Sequence, residues 1–333
     1  MSKNFEDVLN IININNFSGV LSLKEKDKIL LEVSMGSRDR VNGLRNNINT
    51  KFGIASGTKF FTAIAIMLLA EEGKLNLKDP AFKYIPGQYN TYDSSITIEH
   101  LLSHTSGLPD YLDEDLKENP IDVPMYELLR PSDYLKIMPT RPMKFKPGEK
   151  FNYNNSGYIF LSVIIEEISG NYHEFITDNI LKKAHMKDSG FFRMDDLPEN
   201  TALGYLSKTK SNRTNIFSLP IIGSGDGGMF TTVNDIHKFW EAIENGRILE
   251  KASFKKMMQP YIKSDDLYYG LGLWLKKYND KFIPLMIGQD AGVSFESGID
   301  LYHDIKYVII SNTQFDVWPI SKKLKEEIEK LFD

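Results

Sequence analysis

Apolar and polar positions along the chain divide it into three stretches. A helical pattern over residues 5–15 is followed by two apolar runs, 17–23 and 29–34, around a charged turn at 24–28, which predicts a β-hairpin. Behind it, Phe60, Phe61, Ala63, Ile64, Ile66, Met67, Leu68 and Leu69 form a greasy run that stops at Gly73 and predicts a buried helix. From about 79 to 220 there is little strand-like alternation. Helical patterns at 97–102, 158–169 and 172–183 are punctuated by Pro120, Pro124, Pro131, Pro139, Pro142 and Pro147. After Phe230 the pattern predicts a capped helix (232–243), strands at 269–275, 282–287, 297–302 and 307–312, and a charged amphipathic helix at 321–332. Strands at both ends of the chain around a helical middle imply an α+β fold. One antiparallel sheet, built from both chain ends and flanked by helices, would carry an inserted, mostly helical domain. The expected division is 1–78 with 230–333 for the sheet domain and 79–229 for the helical, loop-rich insertion, with the active site in the cleft between them.

Composition narrows the function more than the fold. The 333 residues are 41% hydrophobic and 26% charged, ordinary for a globular protein. A net charge of -5 and a pI near 5.8, without a Lys/Arg cluster, argue against a nucleic-acid partner. No apolar stretch reaches the ~20 residues of a membrane span. The start, Met1-Ser2-Lys3-Asn4-Phe5-Glu6-Asp7, lacks the basic and apolar regions of a secretory leader, so a cytoplasmic location is expected, unless a leader has been removed. Zero cysteines exclude disulfides and a thiolate nucleophile. His100 and His104 are spaced i, i+4, but no third ligand pattern accompanies them, and neither a metal nor another cofactor is expected. The chain is expected to act as a monomer on a small molecule.

The candidate chemistry begins at Ser56-Gly57-Thr58-Lys59, directly before the apolar helix. A hydroxyl at a helix start meets unpaired backbone N–H groups and the positive dipole end. Lys59, three residues on, shares its face, so its amine can reach the Ser56 oxygen. Hydroxyl, amine and amide donors are the parts acyl transfer needs. The plain alternative makes Ser56 an N-cap and Lys59 a solvated residue, although a cation is disfavoured in a first helical turn. Tyr153 and Asn155 follow in the turn-rich segment 148–158: a phenol that can exchange a proton with a lysine, and an amide that can hold an ester or amide carbonyl. Here the alternative is an Asx-rich turn with a packed tyrosine.

In order, Ser56-x-x-Lys59, His104-Thr105-Ser106-Gly107-Leu108-Pro109, Tyr153-x-Asn155 and Gly225-Asp226-Gly227-Gly228-Met229 resemble the penicillin-recognising serine hydrolases. The branch containing class C β-lactamases, D-alanyl peptidases and related esterases is the most similar, over about residues 10 to 330. The resemblance implies a β-lactamase/transpeptidase-like fold, an acyl-enzyme on Ser56, Lys59 and Tyr153 sharing its proton, and an oxyanion site at the Ser56 N–H and, on a strand, the Gly292 N–H. Asn155 would orient the scissile group, and His104 would stabilise a loop rather than act as a base. The family's third element, a Lys or His followed by a small residue and glycine, corresponds to Gln289-Asp290-Ala291 here. Gln289 replaces the cation, Ala291 replaces the glycine, and Asp290 would repel a substrate carboxylate if it faces the cleft.

Two decoys compete with this reading. Gly223-Ser224-Gly225-Asp226-Gly227-Gly228 fits a dinucleotide pattern but lacks the strand-turn-helix setting and follows Pro220; it reads as a glycine-rich loop near the cleft. His104 suggests a Ser-His triad, but no G-x-S-x-G elbow is present. The expected function is a serine hydrolase acting on an ester, amide, peptide or β-lactam carbonyl, weak toward carboxylate-bearing β-lactams. Its substrate-binding residues would be Asn155, Gln289, Asp290, Ala291 and Gly292. The rival reading is an inactive ligand-binding or sensor module of the same fold; a metallohydrolase has little support.

Overall fold

A computed structural model describes residues 5–87, 91–113, 123–209, 211–314 and 316–330. Pro120, and Leu331 and Phe332 of the expected last helix, lie outside these. Helix α1 (Glu6–Ile14) precedes a hairpin of β1 (Gly19–Glu25) and β2 (Lys28–Met35). Two short ladders stand apart from the main sheet: β3 (Ser37–Asp39) with β4 (Leu44–Arg45), and β5 (Phe52–Gly53) with β6 (Phe230–Thr231). Helix α2 (Thr58–Glu71) is followed by α3 (Ile98–Leu102), α4 (Asn155–Ser169) and α5 (Tyr172–Ile176), which continues into a π-helical turn at Thr177–Leu181. Among the described residues no strand lies between Gly53 and Phe230. The C-terminal part supplies α6 (Val233–Glu244), α7 (Lys251–Met257), β7 (Ile262–Ser264), β8 (Leu267–Tyr269), β9 (Trp274–Tyr278), β10 (Lys281–Asp290), β11 (Val293–Asp300), β12 (Ile305–Ser311) and α8 (Val317–Glu329).

The main sheet is eight-stranded and antiparallel, in the order β2-β1-β12-β11-β10-β9-β8-β7. β12 pairs with β1, Val20 opposite Ile310, and with β11, Phe295 opposite Ile310, so the two chain ends close one sheet. Side-chain alternation sorts its faces. Leu21, Leu23, Tyr307 and Ile309 pack under α1 and α8 with Val8, Ile12, Ile320 and Leu324. Val20, Val308, Ile310 and Phe295 face the larger core, which contains the buried run of α2 and Phe239 and Trp240 of α6. Each large apolar side chain buried there contributes about 1.5–3 kcal/mol. Phe61 stacks on Phe239 at 4.5 Å, which ties α2 to α6 and thus to the sheet. The helix carrying the candidate chemistry therefore sits at the centre of the molecule.

β11 and α8 each begin four residues before the expected positions, at Val293 and Val317, and the expected helix 172–183 is α5 and its π-helical turn; two further departures bear on the site. The run 269–275 is not one strand: β8 ends at Tyr269 and β9 begins at Trp274. Gly272 between them has φ +88°, and a Cβ there would lie 2.1 Å from Cβ of Ala63 in α2, so the chain bends where α2 leaves no room for a side chain. Helix α4 starts at Asn155, three residues before Tyr158, because Asn154 caps it: its Oδ1 accepts the Gly157 N–H at 2.7 Å. No helix among the described residues is long and apolar enough to cross a membrane.

His237 of α6 reaches Ser22 of β1 through Nε2 at 2.9 Å and is buried, which pushes its imidazole down to about 3. The unfolded chain, with an ordinary imidazole near ~6.5, binds a proton that the folded chain excludes. Stability from this group is therefore complete above about pH 6.5 and falls as pH drops toward 3, by roughly 1.4 kcal/mol per pH unit. Denaturant unfolding between pH 7 and 4 should show a pH slope smaller by about one proton in His237→Gln than in the parent protein. Equal slopes would show that this histidine does not set acid stability.

Candidate active site

Ser56 lies in a 3-10 turn, Ala55–Gly57, that runs into α2. Ala55 has φ +46°, a left-handed conformation that costs a residue with a Cβ about 1 kcal/mol. Two contacts hold the turn: the Thr58 hydroxyl donates to the Ala55 carbonyl at 2.7 Å, and the Ile54 N–H donates to the Met229 carbonyl at 3.0 Å. Strand β10 crosses the turn at Gly288, where a Cβ would stand 2.0 Å from the Ile54 carbonyl oxygen and 2.8 Å from the Gly57 nitrogen. Only glycine allows strand and turn to approach so closely. This fixes the Ser56 hydroxyl relative to the end of β10.

Lys59 points back along its helix and is 2% exposed. Its ammonium donates to three oxygens: Ser56 Oγ at 2.9 Å, Asn155 Oδ1 at 2.9 Å and the Asp226 carbonyl at 2.5 Å. Three acceptors match the three donors of an ammonium. If the amine is neutral, the two carbonyl oxygens keep the two N–H bonds and the lone pair faces the serine hydroxyl. The same cage thus serves both protonation states.

Tyr153 brings its ring beside this amine, with Lys59 Nζ 5.0 Å from the ring centroid. The ring is sandwiched between His104 at 4.4 Å and Trp274 at 6.1 Å, the latter within 11° of parallel. Its hydroxyl makes no hydrogen bond among the described residues. His104 lies below, fully buried; burial, then the Lys59 charge, hold its imidazole well below the usual range. Its Nδ1 accepts the Asn154 N–H at 3.1 Å, so its contacts are those of a group that packs under Tyr153 and holds the start of α4. His100 turns its Nδ1 to the Thr97 N–H at 3.2 Å, so the i, i+4 histidine pair serves two separate backbone groups.

Gln289, Asp290, Ala291 and Gly292 share the wall of one cavity of about 640 Å³ with Ser56, Tyr153 and Asn155. Gln289 and Asp290 end β10, and Ala291-Gly292 form the turn to β11, so Gly292 stands at a hairpin tip rather than within a strand. The Ala291 carbonyl accepts from Asn215 Nδ2 at 2.8 Å, which anchors the tip. The Gln289 amide oxygen accepts the Trp318 indole N–H at 2.9 Å. The glycine-rich loop at 223–228 turns tightly between α2 and α4: its Gly225 carbonyl accepts from Thr62 at 2.7 Å, and Asp226 supplies the oxygen on Lys59.

Sequence reasoning missed Asp110, which follows the His104–Pro109 motif. Its Oδ2 accepts both the backbone N–H of Asn155, at 2.8 Å, and the Asn155 side-chain NH2, at 3.1 Å, while Oδ1 accepts the Ser156 N–H at 3.1 Å. One carboxylate therefore satisfies the first N–H groups of α4 and sets the Asn155 amide so that its oxygen faces Lys59. An acid directly after that motif and a helix start marked by Asn154-Asn155 were the available signals; their pairing across about 45 residues was not legible.

Known proteins resemble the whole chain. The Beta-lactamase family profile matches residues 17–321. A crystal structure of a penicillin binding protein from Bacillus halodurans is 37% identical and superposes with a TM-score of 0.88, over 98% of this chain and 99% of that one. An octameric penicillin-binding protein homologue from Pyrococcus abyssi is 27% identical, with a TM-score of 0.82 over 98% of this chain and 76% of that one. The Bacillus subtilis protein PbpX, named as a candidate penicillin-binding protein, is 29% identical over 273 residues, 81% of this chain and 65% of that protein. The chain thus spans less than two thirds of that relative's length.

Replacing Asp110 by Ala removes the acceptor that orients Asn155 and costs about 1–3 kcal/mol of stability through unpaired N–H groups. Labelling of Ser56 by a fluorophosphonate should slow at least tenfold in Asp110→Ala at a temperature where circular dichroism shows the variant folded. An unchanged labelling rate would separate Asp110 from the orientation of Asn155.

Proposed function

Because this chain belongs to the β-lactamase family of serine hydrolases, we propose that Ser56 is its nucleophile and that it hydrolyses an ester or amide carbonyl through an acyl-enzyme. The observation that carries this reading is the Lys59 cage. With two N–H bonds committed to Asn155 Oδ1 and the Asp226 carbonyl, a neutral amine turns its lone pair to the Ser56 hydroxyl at 2.9 Å. Ser56 Oγ attacks the carbonyl carbon and its proton passes to Lys59. The tetrahedral oxyanion is held by the Ser56 and Gly292 N–H groups; losing one such donor typically costs about 10²- to 10³-fold. Collapse expels the leaving group, which takes a proton from the Lys59–Tyr153 pair, and water attacks the acyl-enzyme by the reverse route.

The cavity is taken as the cleft between a sheet-bearing part, 1–78 with 230–333, and a helical part, 79–229. Ser56, Gln289 and Gly292 in its wall come from the first, and Asp110, Tyr153 and Asn155 from the second, which supports that division. On the substrate, Gln289 offers no positive charge, and Asp290 adds a negative one to the same wall. A substrate carboxylate gains little there. Neutral acyl esters and amides are therefore the expected substrates, with penicillins poor ones.

Intact mass after incubation with a fluorophosphonate should rise by one adduct in the parent protein and remain unchanged in Ser56→Ala. An adduct on the variant would remove Ser56 from the mechanism, and no adduct on either would favour a ligand-binding module. For specificity, Gln289→Lys should raise the rate of penicillin acylation about tenfold or more through a charge-assisted contact. An unchanged rate would show that the missing cation does not limit penicillin recognition.

A further inference from the structure

Asp226 supplies its carbonyl to Lys59, but its carboxylate has no part in that cage. The residue is 8% exposed and lines the cavity. Its Oδ2 accepts the Tyr111 phenol at 2.6 Å, and its own backbone N–H also favours the charged form. Two other charged groups of this wall are already engaged. Asp110 is occupied by N–H groups of α4, and Lys144 is paired with Asp113 at 3.1 Å. No described lysine, arginine or histidine forms an ion pair with Asp226; Lys59 acts on it only at longer range. Leu112, Phe192, Met194 and Leu219 add apolar surface to the same cavity. A carboxylate left without a cation in such surroundings is costly unless a ligand supplies one.

We propose that Asp226 anchors a primary ammonium on the acyl half of the substrate, so that the chain prefers amino-acyl esters or amides with an apolar side chain to their uncharged analogues. The acyl half is assigned from the backbone of Asp226: its carbonyl and Asn155 Oδ1 share Lys59 Nζ, at 2.5 Å and 2.9 Å, which sets this residue beside the amide taken to orient the scissile carbonyl. Burial holds the Asp226 carboxyl above its usual range, and a bound cation would lower it.

This inference rests on the Ser56 reading for turnover but not for binding, so two measurements separate them. The first is the ratio of kcat/KM for leucyl p-nitroanilide, in each enantiomer, to that for 4-methylpentanoyl p-nitroanilide, which lacks only the amine. The ratio should fall about 10- to 100-fold in Asp226→Asn, which keeps an acceptor for Tyr111 but loses the charge. An unchanged ratio overturns the proposal, because a purely structural role for Asp226 would affect both substrates alike. The second is calorimetric binding of leucinamide and 4-methylpentanamide to Ser56→Ala. Tighter binding of leucinamide, abolished by adding Asp226→Asn, supports the amine site even if the parent protein turns over neither anilide, in which case the hydrolase reading fails alone. Equal affinity for the two amides would overturn the amine site whatever the kinetics.

Discussion

The organisation of this molecule depends on one buried amine. Lys59 projects from the first turn of an apolar helix into a site where water cannot solvate it, so each of its donors must find a protein oxygen. The three oxygens come from parts of the chain far apart in sequence: the turn before α2, the start of α4 and the glycine-rich loop before β6. Each partner must be placed to within hydrogen-bond tolerance, and much of the surrounding structure can be read as the means of doing so. Asp110 fixes Asn155, Thr58 and Gly288 fix the Ser56 turn, and Thr62 fixes the loop that presents the Asp226 carbonyl.

Local strain and local crowding serve the same end. A left-handed Ala55 exposes the serine at the head of α2, and its conformational cost is offset by the Thr58 contact and by the β5–β6 ladder beside it. The sheet supports this arrangement from below. β12 joins strands from both chain ends, and β10 of the same sheet crosses the turn before α2 at Gly288, which sets that turn against the strand leading to the tip. The phenol of Tyr153 approaches from the other side, held by His104 and Trp274. His104, an apparent base by sequence, packs beneath the phenol.

The two-ended sheet and the helical middle were legible because strand alternation and the α2 run are local signals. Ser56 and Lys59 were legible for the same reason, being one helical turn apart. Pairings across long separations were not. The Asp110 contact with Asn155, the Trp318 contact with Gln289 and the cavity-facing position of Asp226 depend on tertiary placement that no spacing encodes. The break between β8 and β9 was missed because the Tyr269–Leu275 run has strand composition, and only Ala63 of α2 makes Gly272 a bend. Gly292 was expected within a strand; the one-residue spacing to Ala291 could not distinguish a strand from a hairpin tip.

The central claim is that the caged amine takes the proton from Ser56. The most direct test is the second-order rate of Ser56 labelling by an uncharged fluorophosphonate in Lys59→Met, which keeps the length of the side chain and removes the amine. The account predicts a fall of about 10²- to 10⁴-fold, as for loss of a general base, in a protein that still unfolds cooperatively. Labelling at the parent rate in a folded Lys59→Met protein would contradict it.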